Sequence, residues 1–497
     1  MSTAASTSEA GRSAPKPPDP AQQPSEPQET LLYERRKKIH TLWVNGKFQY
    51  LRRFTLLVLV LIFYVFPWLT WGDHPAVWFN LPERKFVLLG ATFWPQEFVF
   101  LSWLLIIGAF SLFFFTVLAG RLWCGYACPQ TVWTYCYAWI EHVIEGDRNQ
   151  RLKLEKMPWN FTKLRKKGLK WLLWALFAFS ISITFVGYFT PIRELLPKIA
   201  AFDLGSWERF WILFAAGMSY LLSAALREQV CFHMCPYARF QSVMFDRDTM
   251  IISYDEDRGE PRGARGRKVE DEGSGANLGS CVNCNLCVHV CPMGIDIRNG
   301  LQYQCIGCAA CVDVCNSVMD RMGYERNLVR YSSEHEDHHE KRSGVRPRLI
   351  GYGAILLAMM IAFSWGVGTR VPLELDIIRD RNRLYRENWD GAVENVYTLK
   401  IMNREQRDRS YNISVAGVIP FEYTGKEVAR VPAGTLLSLP VRLVAGPEEQ
   451  YESNIPVTFI LETTDEPSFK ASHESRFLSP ARGGGGEDTR AASGGGR

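Results

Sequence analysis

The chain has 497 residues, of which 47% are hydrophobic and 22% are charged. Its mean hydropathy of −0.10 is that of an ordinary soluble protein, but five stretches of 17 to 23 residues contain no Asp, Glu, Lys or Arg. A purely soluble protein is therefore excluded. The formal net charge of +5 is too small for this length to indicate a nucleic-acid partner. Eight of the 13 cysteines fall within 35 residues, which excludes a disulfide-stapled secreted fold and favours metal ligation.

The two ends of the chain have compositions that do not support a packed core. Residues 1–30 contain mainly Ser, Ala, Pro, Glu and Gln, and they predict a disordered leader. Residues 481–497 are rich in Gly and predict a flexible tail. The first apolar run begins only at Phe54, too far into the chain for a cleavable signal peptide.

The charge-free stretches predict five membrane spans, because a helix needs ~20 apolar residues to cross a bilayer. Buried helices of a soluble core are the alternative, but such helices seldom run this long without a charge. A first region, residues 31–239, contains four of the predicted spans, and a fifth follows later. The predicted spans are about 54–72, 98–119, 171–190, 210–226 and 348–370. The apolar segment Phe86–Phe93 is too short to span and is predicted to lie at the outer membrane interface.

Lysine and arginine are distributed unevenly between the loops. Seven lie between Arg35 and Arg53, before the first span, and eight lie between Arg148 and Lys167, after the second. The intervening loops have only two each. Cytoplasmic loops carry this excess, so we expect the N-terminus in the cytoplasm and, after five spans, the C-terminus outside.

Two domains outside the bilayer follow from this topology. Residues 240–347 are predicted to be a cytoplasmic domain that contains the eight clustered cysteines. Residues 371–480 contain no cysteine and show strand alternation, as in Tyr397, Leu399 and Ile401. Several such strands with Gly, Pro and Asn turns predict an external β-sandwich.

The strongest motif is duplicated: CVNCNLCVHVCP begins at Cys281 and CIGCAACVDVCN begins at Cys305. Each has the spacing C-x2-C-x2-C-x3-C, in which three thiolates bind one [4Fe–4S] cluster and the fourth binds the neighbouring cluster. Zinc is the alternative, but zinc sites usually separate two CxxC pairs by a longer loop. The predicted ligands of the first cluster are Cys281, Cys284, Cys287 and Cys315. Those of the second are Cys305, Cys308, Cys311 and Cys291.

A second pair of motifs, C-x3-C-P, directly follows the second and fourth spans. The two motifs are 107 residues apart at every matching position and form an internal repeat. If each cysteine pair occupied a helix, its thiols would share one face. Four soft sulfur donors would then meet at the membrane surface, where copper or a further iron–sulfur centre would suit them. Simple packing of helix ends is the alternative. The candidate site residues are Cys124, Cys128, Cys231 and Cys235, with Met234 as a further candidate copper ligand.

These motifs, together with SYDEDRGEPRG at Ser253–Gly263 and the external β-domain, resemble the CcoG/FixG/RdxA family of cytochrome c oxidase accessory proteins. The resemblance covers about Leu31–Pro480. It implies a five-span α-helical transmembrane region with a cytoplasmic two-cluster ferredoxin-like insert and a C-terminal immunoglobulin-like β-sandwich. It further implies a role in the assembly of cbb3-type oxidase, with reduction of Cu(II) to Cu(I) for the copper site.

The expected function is therefore electron transfer from a cytoplasmic donor to copper at the span-end cysteines. Two alternatives are a quinol-oxidising polyferredoxin subunit and a scaffold without redox activity. The expected cofactors are two [4Fe–4S] clusters, with copper as substrate or bound ion. The expected partners are membrane lipid and the copper-delivery or assembly factors of the oxidase.

Overall fold

The structure is a computed structural model, and it describes residues 38–72, 74–264, 278–337, 346–370, 373–380, 383–405, 407–447, 453–464 and 469–480. The predicted leader (1–30) and tail (481–497) lie outside these residues. The chain from His40 onward forms one unit.

Helices dominate the first two thirds of the described chain. In order they are α1 (Lys47–Val65), α2 (Phe98–Ala119), α3 (Leu122–Tyr126), α4 (Pro129–Glu145), α5 (Arg148–Lys156), α6 (Phe161–Val186), α7 (Ile192–Ala200), α8 (Ser206–Ser219), α9 (Pro236–Met244), α10 (Glu256–Gly259), α11 (Leu286–Val290), α12 (Ala310–Met322), α13 (Glu334–Asp337) and α14 (Pro347–Gly368). Short 3₁₀ turns occupy Phe66–Trp68, Pro95–Glu97 and Ile297–Asn299. Two π-helical segments, Tyr220–Leu226 and Val230–Met234, follow α8.

Among the described residues, five helices are long and apolar enough to cross a membrane, and they indicate a multi-pass membrane protein. They are Lys47–Trp68, Phe98–Ala119, Phe161–Val186, Ser206–Leu226 and Pro347–Gly368. The first and third begin 7 and 10 residues before the predicted spans, because the charge-free criterion stops at the last Lys or Arg and the backbone helix does not. The added turns of the third helix keep Lys167 and Lys170 buried against Glu145.

The two ends of the helix bundle have different neighbours. We call the end at which α2 and the segment Tyr220–Leu226 finish the motif end, because both C-x3-C-P motifs begin there. Helix α14 starts at this end, where Arg346 donates to the carbonyl of Val117 over 2.8 Å. It finishes at the opposite end, where Arg370 pairs with Glu97 at the start of α2. The cysteine-rich region therefore adjoins the motif end, and the β-domain adjoins the other.

The strands fall into small hairpins and one large domain. In order they are β1 (Thr70–Trp71), β2 (His74–Pro75), β3 (Val77–Asn80), β4 (Lys85–Leu88), β5 (Ala91–Phe93), β6 (Ile251–Tyr254), β7 (Val329–Ser332), β8 (Leu373–Arg379), β9 (Arg386–Glu387), β10 (Val393–Asn403), β11 (Arg409–Gly417), β12 (Glu422–Thr424), β13 (Val428–Val431), β14 (Leu436–Ala445), β15 (Asn454–Thr463) and β16 (Lys470–Leu478). The predicted interfacial segment Phe86–Phe93 forms most of the β4–β5 hairpin, and β3 pairs with β4 to complete a three-stranded sheet.

The C-terminal region is a sandwich of two antiparallel sheets, as the alternation predicted. One sheet has the order β12-β14-β10-β8, with β9 paired to β10, and the other has the order β13-β11-β15-β16. The side chains of Tyr397, Leu399 and Ile401 on β10 are fully buried, and they meet Phe459 and Leu461 of β15 in one core. The predicted immunoglobulin-like β-sandwich is confirmed.

Candidate metal centres

Four of the clustered cysteines line one cavity, which we call the first cavity. Its volume is about 400 Å³, and side chains from α11, α12 and β7 line its wall. Its cysteines are Cys281, Cys284, Cys287 and Cys315. They are the four cysteines that the sequence predicts as ligands of the first cluster, three from the first motif and the fourth cysteine of the second motif.

The other four line a second cavity of about 350 Å³, with Cys287 of the first group also on its wall. They are Cys291, Cys305, Cys308 and Cys311. Four thiols to each cavity are the ligands that a [4Fe–4S] cluster requires, so the donor chemistry fits two clusters. The ligand assignment itself stays a prediction.

Local backbone geometry explains why both motifs curl around a cavity. In each motif, two residues have a left-handed backbone conformation, two and four positions after the first cysteine. They are Asn283 and Asn285 in the first motif and Gly307 and Ala309 in the second. Each curl leads into a short helix that carries the third cysteine. In the first motif Pro292 follows Cys291 and prevents the helix from continuing. The second motif lacks this proline, so its fourth cysteine lies inside α12.

Burial raises the pKa of several of these thiols, which therefore stay neutral unless a cation compensates. It raises the pKa of Cys291 and of Cys315 to about 12, and the pKa of Cys287 and of Cys305 to about 11. Iron bound to sulfur supplies the missing positive charge and holds the ligand as thiolate. Among the residues that the structure describes, no three His, Cys, Asp or Glu side chains converge on a single-ion position. A cluster distributes its thiolates over four irons, so this finding agrees with cluster ligands.

The two cavities differ in access to solvent. Cys284 of the first cavity is exposed. In the second cavity Cys308 is 7% exposed. Cys284 is therefore the one exposed thiol among the eight clustered cysteines, and it gives the first cavity a thiol in contact with solvent.

The C-x3-C-P motifs lie at the motif end, but the expected helical pairing is wrong. Cys124 lies in α3, whereas Cys128 has an extended backbone (ψ 127°) and caps α4. Likewise Cys231 lies in the π-helical segment Val230–Met234, and Cys235 (ψ 110°) caps α9. The cause is the proline after each second cysteine, since a residue before proline avoids the helical conformation. Each pair therefore bridges a helix break.

The backbone repeats what the sequence repeats. Gly120 follows α2 with φ 56° and ψ −114°, and Arg227, 107 residues later, follows the π-helical segment with φ 47° and ψ −111°. These values are those of the first central residue of a type II′ turn, a position that favours glycine. The two halves of the repeat thus turn the chain identically before their cysteines.

The two motifs lie close enough for their thiols to influence one another. Burial, with smaller contributions from charge on Cys128 and Cys231, raises the pKa of Cys124 to about 12. Burial also raises the pKa of Cys231 to about 12, and its next largest influence is Cys128 of the other motif rather than Cys235 of its own. Met234 is 57% exposed. The four cysteines are brought together, although not into single-ion geometry.

The first C-x3-C-P motif touches the wall of the second cavity. A Cβ on Gly125 would lie only 2.8 Å from the carbonyl oxygen of Ile306. Arg121 donates to the carbonyl of Cys305 over 2.8 Å and to that of Ala238 over 3.0 Å, so one guanidinium joins the second cavity to the helix after Cys235. Backbone contacts therefore connect the candidate cluster site with the span-end cysteines.

Membrane helix α1 secures this junction with residues that sequence reasoning missed. The Asp313 carboxylate, on α12, accepts from the backbone N–H of Gln49 over 2.8 Å. The Gln49 side chain donates to the carbonyl of Cys308, and Arg52 donates to that of Gly125. Nothing in the local sequence marks Gln49, whereas Gly125 and Asp313 lie inside the cysteine motifs without being cysteine ligands.

Two further side chains of metal-ligating type, outside the cysteine motifs, have ordinary surroundings. Cys136 is a half-buried thiol on α4. His335 contacts Asp248 at 2.9 Å, and His338 and His339, which follow it in the sequence, lie outside the described residues.

Three families match parts of the chain. Residues 226–334 match the 4Fe-4S dicluster domain, residues 101–145 match a 4Fe-4S binding domain, and residues 363–480 match the IG-like fold at the C-terminal of FixG. The 101–145 match includes Cys124 and Cys128, and the dicluster match includes Cys231 and Cys235.

Whole-length relatives agree with these matches. The nitrogen fixation protein FixG of Rhizobium meliloti is 34% identical over 78% of this chain and 80% of its own length. Proteins RdxB and RdxA of Cereibacter sphaeroides are 35% and 36% identical over 84% and 78% of this chain, and over 91% and 84% of their own lengths. The crystal structure of a FixG-related protein from Vibrio parahaemolyticus is 36% identical over 22% of this chain and 95% of that one, with a TM-score of 0.20. The chain belongs to the FixG/RdxA family of membrane-bound iron–sulfur electron-transfer proteins.

Proposed function

We propose that this protein reduces Cu(II) to Cu(I) for the assembly of a cbb3-type cytochrome c oxidase. The observation that carries the proposal is the contact between the second cavity and the first C-x3-C-P motif, through Gly125 and Arg121. Electrons that enter at the exposed first cavity would have a short, packed route to four sulfur donors. Such a route has little purpose in a scaffold without redox activity.

The donor set suits the product of the reaction. Each Cu(II) gains one electron, and sulfur ligands stabilise the resulting Cu(I) because both are soft. The [4Fe–4S] clusters supply one-electron transfer when bound. The thiols of Cys124 and Cys231, which burial holds neutral, release protons as they bind the ion.

The proposed orientation places the motif end in the cytoplasm of a bacterial inner membrane. Two basic segments support it: the first turns of α1 and the helices α5 and α6, with Arg151 of α5 close to Glu141. An excess of Lys and Arg marks the cytoplasmic side. The cytoplasmic electron donor would then reach the first cavity, and the β-domain would meet copper-delivery or oxidase assembly factors in the periplasm.

Paired cysteine variants test the copper role. Changing Cys231 and Cys235 together to Ser should abolish Cu(I) binding and Cu(II) reduction, because hydroxyls are poor ligands for a soft ion. The same result is expected for Cys124 and Cys128, since both motifs contribute to the site. Cys136→Ser is the matched control, because that thiol lies on α4 outside both motifs.

The measurements are anaerobic copper titration, iron analysis and the rate of Cu(II) reduction by the chemically reduced protein. The proposal expects iron content to stay near that of the parent while copper reduction is lost. Parental reduction rates in both double variants would disprove the copper site. Reduction of the iron–sulfur centres by a quinol analogue without copper would then favour the quinol-oxidising alternative.

A further inference from the structure

Arg227 occupies a backbone conformation that its counterpart in the repeat fills with glycine. Both residues have φ near +50° and ψ near −110°, a combination that glycine adopts freely and that a side chain with Cβ disfavours. A residue of this kind persists only where its surroundings fix it. Arg227 also lies four residues before Cys231, the first cysteine of the second C-x3-C-P motif.

The side chain and carbonyl of Arg227 are both held by other residues. Its guanidinium donates to Glu141 over 2.7 Å and lies 5.2 Å from the ring of Trp174. The Glu141 carboxylate is fully buried. The carbonyl of Arg227 accepts from the Gln130 amide over 3.3 Å, and the same amide donates to the carbonyl of Leu222 over 2.8 Å.

Glu141 and Gln130 both lie on α4, the helix that Cys128 caps. Each contact to Arg227 from α4 therefore ties the approach to the second motif to the helix that begins at the first. A general packing role would not need an arginine at this turn, because the equivalent turn at Gly120 is made without a side chain. The arginine supplies what glycine cannot, an ionic link between the two halves.

We propose that Arg227 and Glu141 are positioning residues whose ion pair sets the separation of Cys231 from Cys128. The pair fixes the turn that leads into the second motif against the helix that leaves the first. It thereby holds the two halves of the span-end site in register. The consequence for copper reduction rests on the proposed function, whereas the geometric claim does not.

The test uses the full-length protein in detergent with its iron–sulfur centres in place. Glu141→Gln removes the charge and keeps the shape, and Arg227→Gly removes the side chain while fitting the backbone. Glu208→Gln is the matched control. Glu208 pairs with Lys198 over 3.1 Å near the start of the membrane helix Ser206–Leu226, whose other end leads into Arg227. Each variant is treated with dibromobimane, and mass spectrometry measures the Cys128–Cys231 cross-link.

In both variants we expect a severalfold lower yield of this cross-link, with iron content and iron–sulfur spectra unchanged. Copper reduction should fall about tenfold or more, since a displacement of about 1 Å can cost as much as 100-fold. The control should retain both properties. A parental cross-link yield in either variant overturns the proposal. If the parent itself reduces no copper, the proposed function fails alone and the cross-link still decides the positioning role.

Discussion

Replacement of Gly125 by Ala should separate the first C-x3-C-P motif from the second cavity. The added Cβ would lie 2.8 Å from the carbonyl oxygen of Ile306 and 3.0 Å from that of Gly307, and ordinary contact begins at 3.4 Å. Both obstacles are backbone atoms, so the loop or α3 must move. Such overpacking costs about 1–3 kcal/mol, while Ala improves on Gly in a helix by about 0.5–1 kcal/mol. We expect a net destabilisation of about 1 kcal/mol, within a range of about 0–2.5 kcal/mol.

The assay is the thermal unfolding midpoint of anaerobic protein, with iron content and Cu(II) reduction measured on the same samples. Gly168→Ala is the matched control, because Gly168 lies inside α6 and a Cβ there meets nothing within 4 Å. It should raise the midpoint or leave it unchanged. Gly125→Ala should lower the midpoint and slow copper reduction. An unfolding midpoint at or above that of the parent would refute the close contact on which the proposed electron route depends.

Three further predictions concern other parts of the chain. Anaerobic protein should contain about eight irons, and Cys284→Ser should remove one centre and destabilise its neighbour; stoichiometric zinc without iron would contradict the cluster assignment. Reporter fusions after Lys198 and Glu462 should register as external and one at Met157 as cytoplasmic, so a cytoplasmic signal at Glu462 would reverse the proposed side of the β-domain. Burial raises the pKa of Tyr411 to about 12 from its ordinary 10.0. The fragment 371–480 should therefore keep its free energy of unfolding below pH 10 and lose it between pH 10 and 12, by up to about 1.4 kcal/mol per pH unit for this tyrosine; Tyr411→Phe should flatten that decline.

The sequence predicted those features that depend on regular patterns. Uninterrupted apolar runs identified five spans, and the alternation at Tyr397, Leu399 and Ile401 identified a strand buried on one face. The spacing of the clustered cysteines also predicted two groups of four, and each group lines one cavity, with Cys287 on the wall of both. In each case the signal lies within a short segment of chain, so local periodicity carries it.

Other features depend on long-range contacts and left no local signal. Asp313 caps α1 across 264 residues of sequence. The helical pairing predicted for C-x3-C-P is wrong because the proline that ends each motif keeps the preceding cysteine out of the helical conformation. The backbone strain at Arg227 also leaves no signal in the sequence. The repeat aligns Arg227 with Gly120, but it does not reveal that both residues adopt a turn conformation that favours glycine.

The order of the elements explains why the second cavity adjoins the first motif. The cysteine-rich region begins after α9 and ends at α14, and α14 packs on α2, where Gly353 and Gly366 admit the rings of Phe114 and Phe100. Helix α2 leads directly into the first motif, so the packing of α14 on α2 brings the end of the cysteine-rich region back to that motif. The cap on α1 by Asp313 fixes the region from another direction. Because the final contact is backbone against backbone at Gly125, the separation between the two sites is set by the fold and not by flexible side chains.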